Sequence, residues 1–264
     1  MKANGLGTWV DTLQASGRYC FLRSEAIQAT GLSAEAAKKA FQRLIANKRL
    51  LKVKKYFFVV VPIEYRHLGS PPASWFVDQL MGAMQMPYYV GLLSAASLHG
   101  ASHQQPQEFQ IVTPKSLRPL IVARQRLHFI IKRRLESTVR LSTKTPTGLI
   151  KVSSVEATAL DLVEFSRAAG GLSNVATILT ELAGKMAPDR LIAAANRVDE
   201  HTIVQRLGFL LDSIGERRLS DPLAEWLARK KARFVPLVPS ATIRNGQRDV
   251  RWKLLVNEVL EVEV

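Results

Sequence analysis

The first sixty residues change their hydrophobic period from that of helices to that of strands. Within residues 6–13 the apolar side chains recur at the spacing of one helix face, which predicts a helix that ends at Ser16-Gly17. Ser24 is placed to cap a second, short helix, and Gly31 can supply the left-handed turn that closes it. Ser33 then caps a predicted third helix.

The third helix is predicted to have one apolar and one polar face. Its apolar stripe extends from Ala37 to Ile45, and the segment "ATGLS" before it is short and contains glycine, as in helix-turn-helix connections. Side chains of the kind found on its polar face contact phosphates and base edges in DNA complexes. The residues expected to face water are Glu35, Lys38, Lys39, Gln42, Arg43 and Asn47.

Two strand-like runs, "LLKV" and "YFFVVV", follow this helix and indicate a hairpin. Lys54-Lys55 separates the two runs, and Pro62 ends the second. Three helices and a basic hairpin together predict a winged helix-turn-helix DNA-binding domain over residues 1–66. The turn contains neither Gly nor Asn, which two-residue hairpin turns prefer, so a longer loop is an alternative.

Positive charge is concentrated in this N-terminal segment. Residues 1–62 contain 11 Lys and Arg against 3 Asp and Glu, so 11 − 3 = +8, whereas the remaining residues contain 26 against 19, or +7. Double-stranded DNA is the expected partner, because each neutralised phosphate releases counterions. A winged-helix protein-interaction module without affinity for DNA is an alternative. The predicted DNA-binding residues are Lys38, Lys39, Gln42, Arg43, Asn47, Lys52, Lys54 and Lys55.

The Pro, Gly and Ser cluster "HLGSPPAS" predicts a domain boundary near residues 65–73. We expect a mixed α/β domain over residues 74–264, with a sheet-bearing half at 74–170 and a helical half at 171–264. In the first half "EFQIVT", "LHFIIKRR" and "GLIKVS" are strand-like. The predicted fold class is therefore α+β. Additional candidate contacts to nucleic acid, or alternatively a basic strand edge that discourages aggregation, are Arg126, Lys132, Arg133 and Arg134.

The known catalytic patterns are incomplete in this chain. His99 and His103 have the spacing of two metal ligands on a helix, but Gly100 between them favours an earlier helix end, so we expect no metal. The pair Glu261 and Glu263 lacks the lysine that a restriction-type nuclease needs, and no Asp-x-Asp pair of a nucleotidyltransferase occurs. We therefore expect no enzyme. An alternative, a nucleic-acid-processing enzyme with a winged-helix specificity domain, would use Asp161 or Asp249.

Composition adds expectations about compartment and cofactors. No stretch approaches the roughly 20 apolar residues of a membrane helix, and no apolar signal segment follows the N-terminus, so we expect a cytoplasmic protein. Cys20 is the single cysteine, which fits a reducing compartment, and we expect it to be buried as a small apolar residue. No nucleotide-binding motif is present, and no cofactor is expected.

Five segments occur in an informative order: "AIQATGLSAEAAKKAFQRLIANKRLLKV", "YYVGLLSAASLHG", "FQIVT", "SSVEATALDLV" and "VQRLGFLLDSIG". In this order they resemble the AbiE-type antitoxins of type IV toxin–antitoxin systems, which originate in phage abortive infection. The resemblance implies a transcriptional autorepressor whose winged helix binds inverted repeats in its own promoter. It also implies a C-terminal region that counters a nucleotidyltransferase-like toxin without forming a stable complex with it.

Overall fold

The chain divides into two units that combine helices and sheets. The computed structural model describes residues 5–101, 107–241 and 247–261. Unit 1 contains residues 1–89, 107–133 and 142–151, and unit 2 contains residues 90–106, 134–141 and 152–264. The predicted mixed fold class is confirmed. The predicted boundary near residues 65–73 lies inside unit 1 and stays a prediction.

The N-terminal elements of unit 1 are three helices and a three-stranded antiparallel sheet. The three helices were all predicted, whereas the first strand was not. The second helix begins at Arg23 without a side-chain cap, so the predicted capping role of Ser24 is wrong. Strand order in the sheet is β1-β3-β2. The bounds are α1 Leu6–Ala15, β1 Cys20–Leu22, α2 Arg23–Thr30, α3 Ala34–Ala46, β2 Leu50–Lys52 and β3 Phe57–Val60.

A second set of short helices and strands follows, beginning with 3₁₀ turns at Ile63–Tyr65 and Ala73–Trp75. Its strands follow the order β6-β7-β5-β4-β9-β8, with β5 parallel to β7 and β6 antiparallel to β7. The three predicted strands are β5, β7 and β9. The bounds are α4 Val77–Ala83, β4 Tyr89–Val90, α5 Leu92–Leu98, β5 Glu108–Thr113, β6 Leu120–Val122, β7 Gln125–Ile131, β8 Arg140–Thr145 and β9 Gly148–Ser153.

The helical part of unit 2 agrees with the predicted helical pattern. Its helices bury leucine and alanine side chains on each other, and a 3₁₀ turn at Ser166–Ala169 separates the first two. Three short strands follow them in the order β10-β12-β11. The bounds are α6 Val155–Glu164, α7 Leu172–Ala183, α8 Pro188–Val198, α9 His201–Ser213, α10 Arg217–Ala228, β10 Val235–Pro236, β11 Gln247–Asp249 and β12 Leu254–Val256.

The segment after α10 is fastened to α9 by a buried tryptophan. Trp252 has no exposed surface, and its Nε1 donates a hydrogen bond to Oδ2 of Asp212 at 2.8 Å. Its ring occupies the space beside Gly208, where a Cβ atom would lie 2.1 Å from the ring. Gln205 Nε2 also donates to the carbonyl of Trp252 at 2.9 Å. The missing side chain at Gly208 therefore leaves space on α9 for the Trp252 ring.

Two expectations from composition can be compared with the fold. Cys20 is buried in the N-terminal core at 9% exposure, as expected, and burial raises the pKa of its thiol to about 12. A thiol with this pKa is almost entirely protonated at neutral pH. Within the described parts of the chain, no helix is both long and apolar enough to cross a membrane.

Candidate nucleic-acid interface

The orientation of α3 is set by its cap and by stacked phenylalanine rings. Ser33 Oγ accepts a hydrogen bond from the amide of Ala36 at 3.3 Å, as predicted for an N-cap. Phe41 is 4% exposed and stacks on Phe58 of β3, with ring centroids 4.5 Å apart, and on Phe21 of β1 at 6.3 Å. These rings hold the apolar stripe of α3 against the sheet, so its polar face points to solvent.

The hairpin loop has four residues, 53–56, between β2 and β3. The amide of Phe57 donates to the carbonyl of Lys54 at 3.2 Å, which closes a turn whose central residues are Lys55 and Tyr56. Neither central residue has a positive φ, so the turn has no need for glycine. Four-residue hairpin loops are commonly built around a type I turn, which explains the absence of Gly and Asn here.

Most positive charges of these N-terminal elements are not compensated by carboxylates. Residues 5–62 contain ten Lys and Arg and three Asp and Glu, and each carboxylate makes one ion pair, so 10 − 3 = 7 cations are left. The pairs are Arg49 with Asp11, Arg18 with Glu25 and Lys39 with Glu35. Among the described residues, the cations of this segment outside ion pairs are Arg23, Lys38, Arg43, Lys48, Lys52, Lys54 and Lys55.

The polar face of α3 presents two rows of predicted contact residues. Lys38 and Gln42, four positions apart, line a cleft that they share with Lys52 of β2. Lys39 and Arg43 form the second row and are both exposed. Lys39 pairs with a glutamate at 3.2 Å, but an exposed pair of this kind contributes at most about 1 kcal/mol, so the ammonium can exchange partners.

The remaining predicted contact residues lie at the end of α3 and in the hairpin loop. Asn47 is the C-terminal cap of α3 and is exposed. Lys55 is exposed at the centre of the turn, whereas Lys54 is half-buried. Of the predicted contact residues, Lys38, Gln42 and Lys52 thus share one cleft, and the others lie outside it. Contact of these residues with DNA stays a prediction.

Arg23 belongs to the same cleft and was not predicted. It is the first residue of α2, and its guanidinium centre lies 5.6 Å from the centroid of the Phe41 ring. With Ser24 as the expected cap of α2, Arg23 would lie in the loop before the helix and outside any predicted binding surface. No local sequence signal gives its position, which depends on how β1, α2 and α3 pack together.

The basic residues of the later strands form no comparable surface. Arg126 Nε of β7 lies 3.2 Å from Oε1 of Glu108 on β5, so its charge is already paired. Lys132 follows β7 and is only 7% exposed. Contact of these basic residues with nucleic acid stays a prediction. Arg133 and Arg134 are exposed.

A comparison with protein families bears on the part of the chain that follows the hairpin. Residues 89–213 match the family model described as the AbiEi antitoxin C-terminal domain. Residues 89–213, which we call the AbiEi domain, are similar to this family of antitoxins. The match confirms the resemblance to AbiE-type antitoxins and supports the role of an antitoxin in a toxin–antitoxin system. No curated protein sequence matches the chain.

A solved structure shares the fold over a longer stretch than the AbiEi domain. It is the crystal structure of the RV2827C protein from Mycobacterium tuberculosis, which is similar with a TM-score of 0.66. The likeness covers 93% of this chain and 89% of that chain, and the two sequences are 17% identical. At this identity the likeness concerns the fold alone.

The segment "SSVEATALDLV" of the AbiEi domain has a structural role. Ser154 Oγ accepts from the amide of Ala157 at 3.2 Å and caps α6. The nearly buried carboxylate of Glu156 accepts from Arg190 Nε at 2.8 Å and from the amide of Ala187 at 3.3 Å. Burial alone would raise the pKa of Glu156, but these hydrogen bonds hold it below its usual value. The carboxylate therefore ties α6 to the start of α8.

The aspartates considered for a nuclease also have structural surroundings. Asp249 Oδ1 accepts from the amide of Trp252 at 2.8 Å, which fixes the turn between β11 and β12. Asp161 has no exposed surface on α6. Among the described residues, no group of three or more His, Cys, Asp or Glu side chains is placed to hold a metal ion.

The predicted histidine and glutamate pairs are described only in part. His99 follows α5, and its Nε2 lies 2.7 Å from the carbonyl oxygen of Ser153. This contact is a structural hydrogen bond of the kind expected for a polar histidine at a helix end. Glu261 is exposed and lies outside any strand. His103 and Glu263 lie outside the described residues.

Proposed function

We propose that this chain is a DNA-binding transcriptional autorepressor and an antitoxin of a type IV abortive-infection system. Its N-terminal elements bind inverted repeats in the promoter of its own operon. Its AbiEi domain counters a nucleotidyltransferase-like toxin encoded alongside, which gives the system a role in phage defence. The protein acts without a catalytic step of its own, in the cytoplasm.

The observation that carries the DNA-binding half is the charge distribution over α3 and the hairpin. All three carboxylates of residues 5–62 are engaged by other cations, and the helix presents Lys38 and Arg43 to solvent without a counter-charge. An exposed face that served solubility alone would mix charges of both signs. A surface of one sign raises the local concentration of a polyanion and steers its approach.

The arrangement supports a division of labour between helix and hairpin. A helix with exposed Gln42 and Arg43 can enter a major groove, where each good bidentate contact to a base contributes about 1–3 kcal/mol of discrimination. Lys54 and Lys55 in the hairpin loop would then contact the flanking phosphates. An inverted repeat requires two copies of this binding unit, one for each half-site.

The antitoxin half of the proposal rests on the AbiEi domain at residues 89–213. The toxin would be a nucleotidyltransferase-like enzyme, and neutralisation would proceed without a stable complex between the two proteins. Co-expression with the gene beside this one tests the idea in living cells. Rescue of growth, combined with separate elution of the two purified proteins in size-exclusion chromatography, is the expected result. Continued toxicity contradicts the proposal.

The DNA-binding half is tested with charge variants of the full chain on the DNA directly upstream of its gene. Lys38→Gln/Arg43→Gln removes two positive charges from α3, and Arg229→Gln/Lys231→Gln removes two exposed charges from unit 2 as a matched control. We expect the first variant to lose affinity at least tenfold and the control to bind like the parent chain. Equal affinity of all three proteins in fluorescence anisotropy would refute the placement of the surface.

Single substitutions separate positioning from specificity. Lys55→Ala should weaken binding to all sequences alike and lower the salt slope by about 1, as expected for a phosphate contact. Arg43→Ala should mainly narrow the difference in affinity between the promoter and a scrambled sequence. A general loss with Arg43→Ala and a specific loss with Lys55→Ala would reverse the assigned roles.

A further inference from the structure

A cleft of about 200 Å³ opens between α3, β2 and the first residue of α2. Three cationic side chains line it, namely Arg23, Lys38 and Lys52, together with the amide of Gln42. The lining contains no carboxylate. Three cations from three different elements therefore converge on one small space.

The floor of the cleft cannot accept a stacked base. It contains Phe41 and Phe58, which are 4% and 2% exposed. Their ring faces are already stacked on each other and on Phe21, with centroids 4.5 Å and 5.8 Å from Phe58. Recognition of single-stranded nucleic acid by stacking needs an accessible aromatic face. The groups available to a ligand here are cationic and amide N–H donors.

Arg23 is the member of this cluster suited to a directional contact. Its guanidinium lies 5.6 Å from the Phe41 centroid, within the range of a cation–π interaction that limits its freedom. A guanidinium held in this way can donate two parallel hydrogen bonds to two oxygens of a phosphate. Lys38 and Lys52, both exposed, supply charge without fixed geometry from either side.

We propose that this cleft binds one phosphate group, that of a DNA backbone next to the groove that α3 enters. The inference rests on the proposed DNA-binding function and adds Arg23 to it. In this arrangement Lys38 and Lys52 contact the same phosphate as Arg23. Lys39 and Arg43 contact other parts of the DNA. The contact between Arg23 and this phosphate thereby fixes the position of α3 along the duplex.

The proposal gives a count that a salt series can measure. Each neutralised phosphate contributes about 0.9 to the slope of log affinity against log salt concentration. If three side chains share one phosphate, Arg23→Gln/Lys38→Gln/Lys52→Gln should lower the slope by only about 0.9. Three independent phosphate contacts would instead lower it by about 2.7. A slope loss near the larger value, or no loss at all, overturns the shared site.

Arg23→Lys tests the guanidinium against charge alone. This variant keeps the positive charge, so the salt slope should stay within error while affinity falls several-fold. Arg229→Lys is the matched control, the same exchange at an exposed position outside the cleft. A folding defect would appear as a lower thermal unfolding midpoint of Arg23→Lys. Unchanged affinity of a folded variant would contradict the role of the Arg23 guanidinium in phosphate binding.

Inorganic phosphate separates this inference from the proposed function. The full chain labelled for NMR should show a saturable shift of the Arg23 side-chain signals with phosphate, and Arg23→Gln should abolish the response of neighbouring signals. Phosphate binding without any DNA binding would refute the DNA proposal and assign the site to a free or non-DNA phosphate. DNA binding with neither the phosphate response nor the shared slope loss would refute the cleft alone.

Discussion

Replacement of Gly208 by alanine is a sharp test of how the C-terminal segment is held on α9. The added methyl group would lie 2.1 Å from Cη2 and Cζ3 of Trp252, so the ring has to leave its position. This ring is fully buried, and its Nε1 donates to Asp212 at 2.8 Å. The substitution therefore acts on the contact between α9 and the segment after α10.

Two opposing terms set the size of the effect. Alanine in a helix interior is more favourable than glycine by about 1 kcal/mol. Loss of a buried tryptophan from its site costs about 3–5 kcal/mol in other proteins. The difference is a net loss of about 2–4 kcal/mol in the free energy of unfolding.

A double-mutant cycle in urea measures this term. In the Trp252→Leu background the ring is absent, so Gly208→Ala should become neutral or stabilise the protein by up to about 1 kcal/mol. The sign of the glycine substitution thus depends on the residue at position 252. An equal loss in both backgrounds would show that Gly208 and Trp252 do not share this space.

Three further results are expected from single groups. Cys20, whose pKa is raised to about 12 by burial, should react with a thiol reagent at pH 8 only after unfolding; fast reaction of the native protein would contradict its burial. Glu156 has a lowered pKa, so the stability that it contributes is present above its unfolded value of about 4.5 and is lost as pH falls through the folded pKa. Glu156→Gln should flatten that acid limb of the stability curve, and an unchanged limb would contradict the role of the Arg190 hydrogen bond. Ser33→Ala should cost about 1 kcal/mol by removing the cap of α3 while Ser33→Asp retains stability, as urea titration can show.

The helices of this fold could be predicted because they carry their own local signals. Ser33, for example, caps the helix that was predicted to begin after it. Ser24 was assigned as a cap in error, because the chain enters α2 directly from β1 and Leu22 takes the position before the helix. A serine near a helix start is a cap only if the preceding backbone is free to turn there.

Strands β1, β4 and β8 could not be predicted, for physical reasons. β1 and β4 have three and two residues, which is too short to show an alternation of apolar and polar positions. β8, with the sequence "RLSTKT", is mostly exposed and has no buried face. These strands are specified by the partners beside them in the sheets, which a single sequence does not reveal.

Some residues of the candidate surface could be predicted from the sequence and others could not. The polar face of α3 followed from its apolar stripe, since one face of a helix determines the other. The position of Arg23 beside Phe41, 5.6 Å from the ring, depends on how β1, α2 and α3 pack. The burial of Lys132 likewise depends on packing after β7. The basic run "KRR" that contains Lys132 does not predict this burial.

Footprinting of the DNA upstream of this gene tests the central claim most directly. The full chain should protect two inverted half-sites at physiological salt, and Lys38→Gln/Arg43→Gln should leave them unprotected at the same protein concentration. Protection by that variant equal to the parent chain, or no protection by the parent chain itself, would contradict a DNA-binding surface formed by α3 and the hairpin.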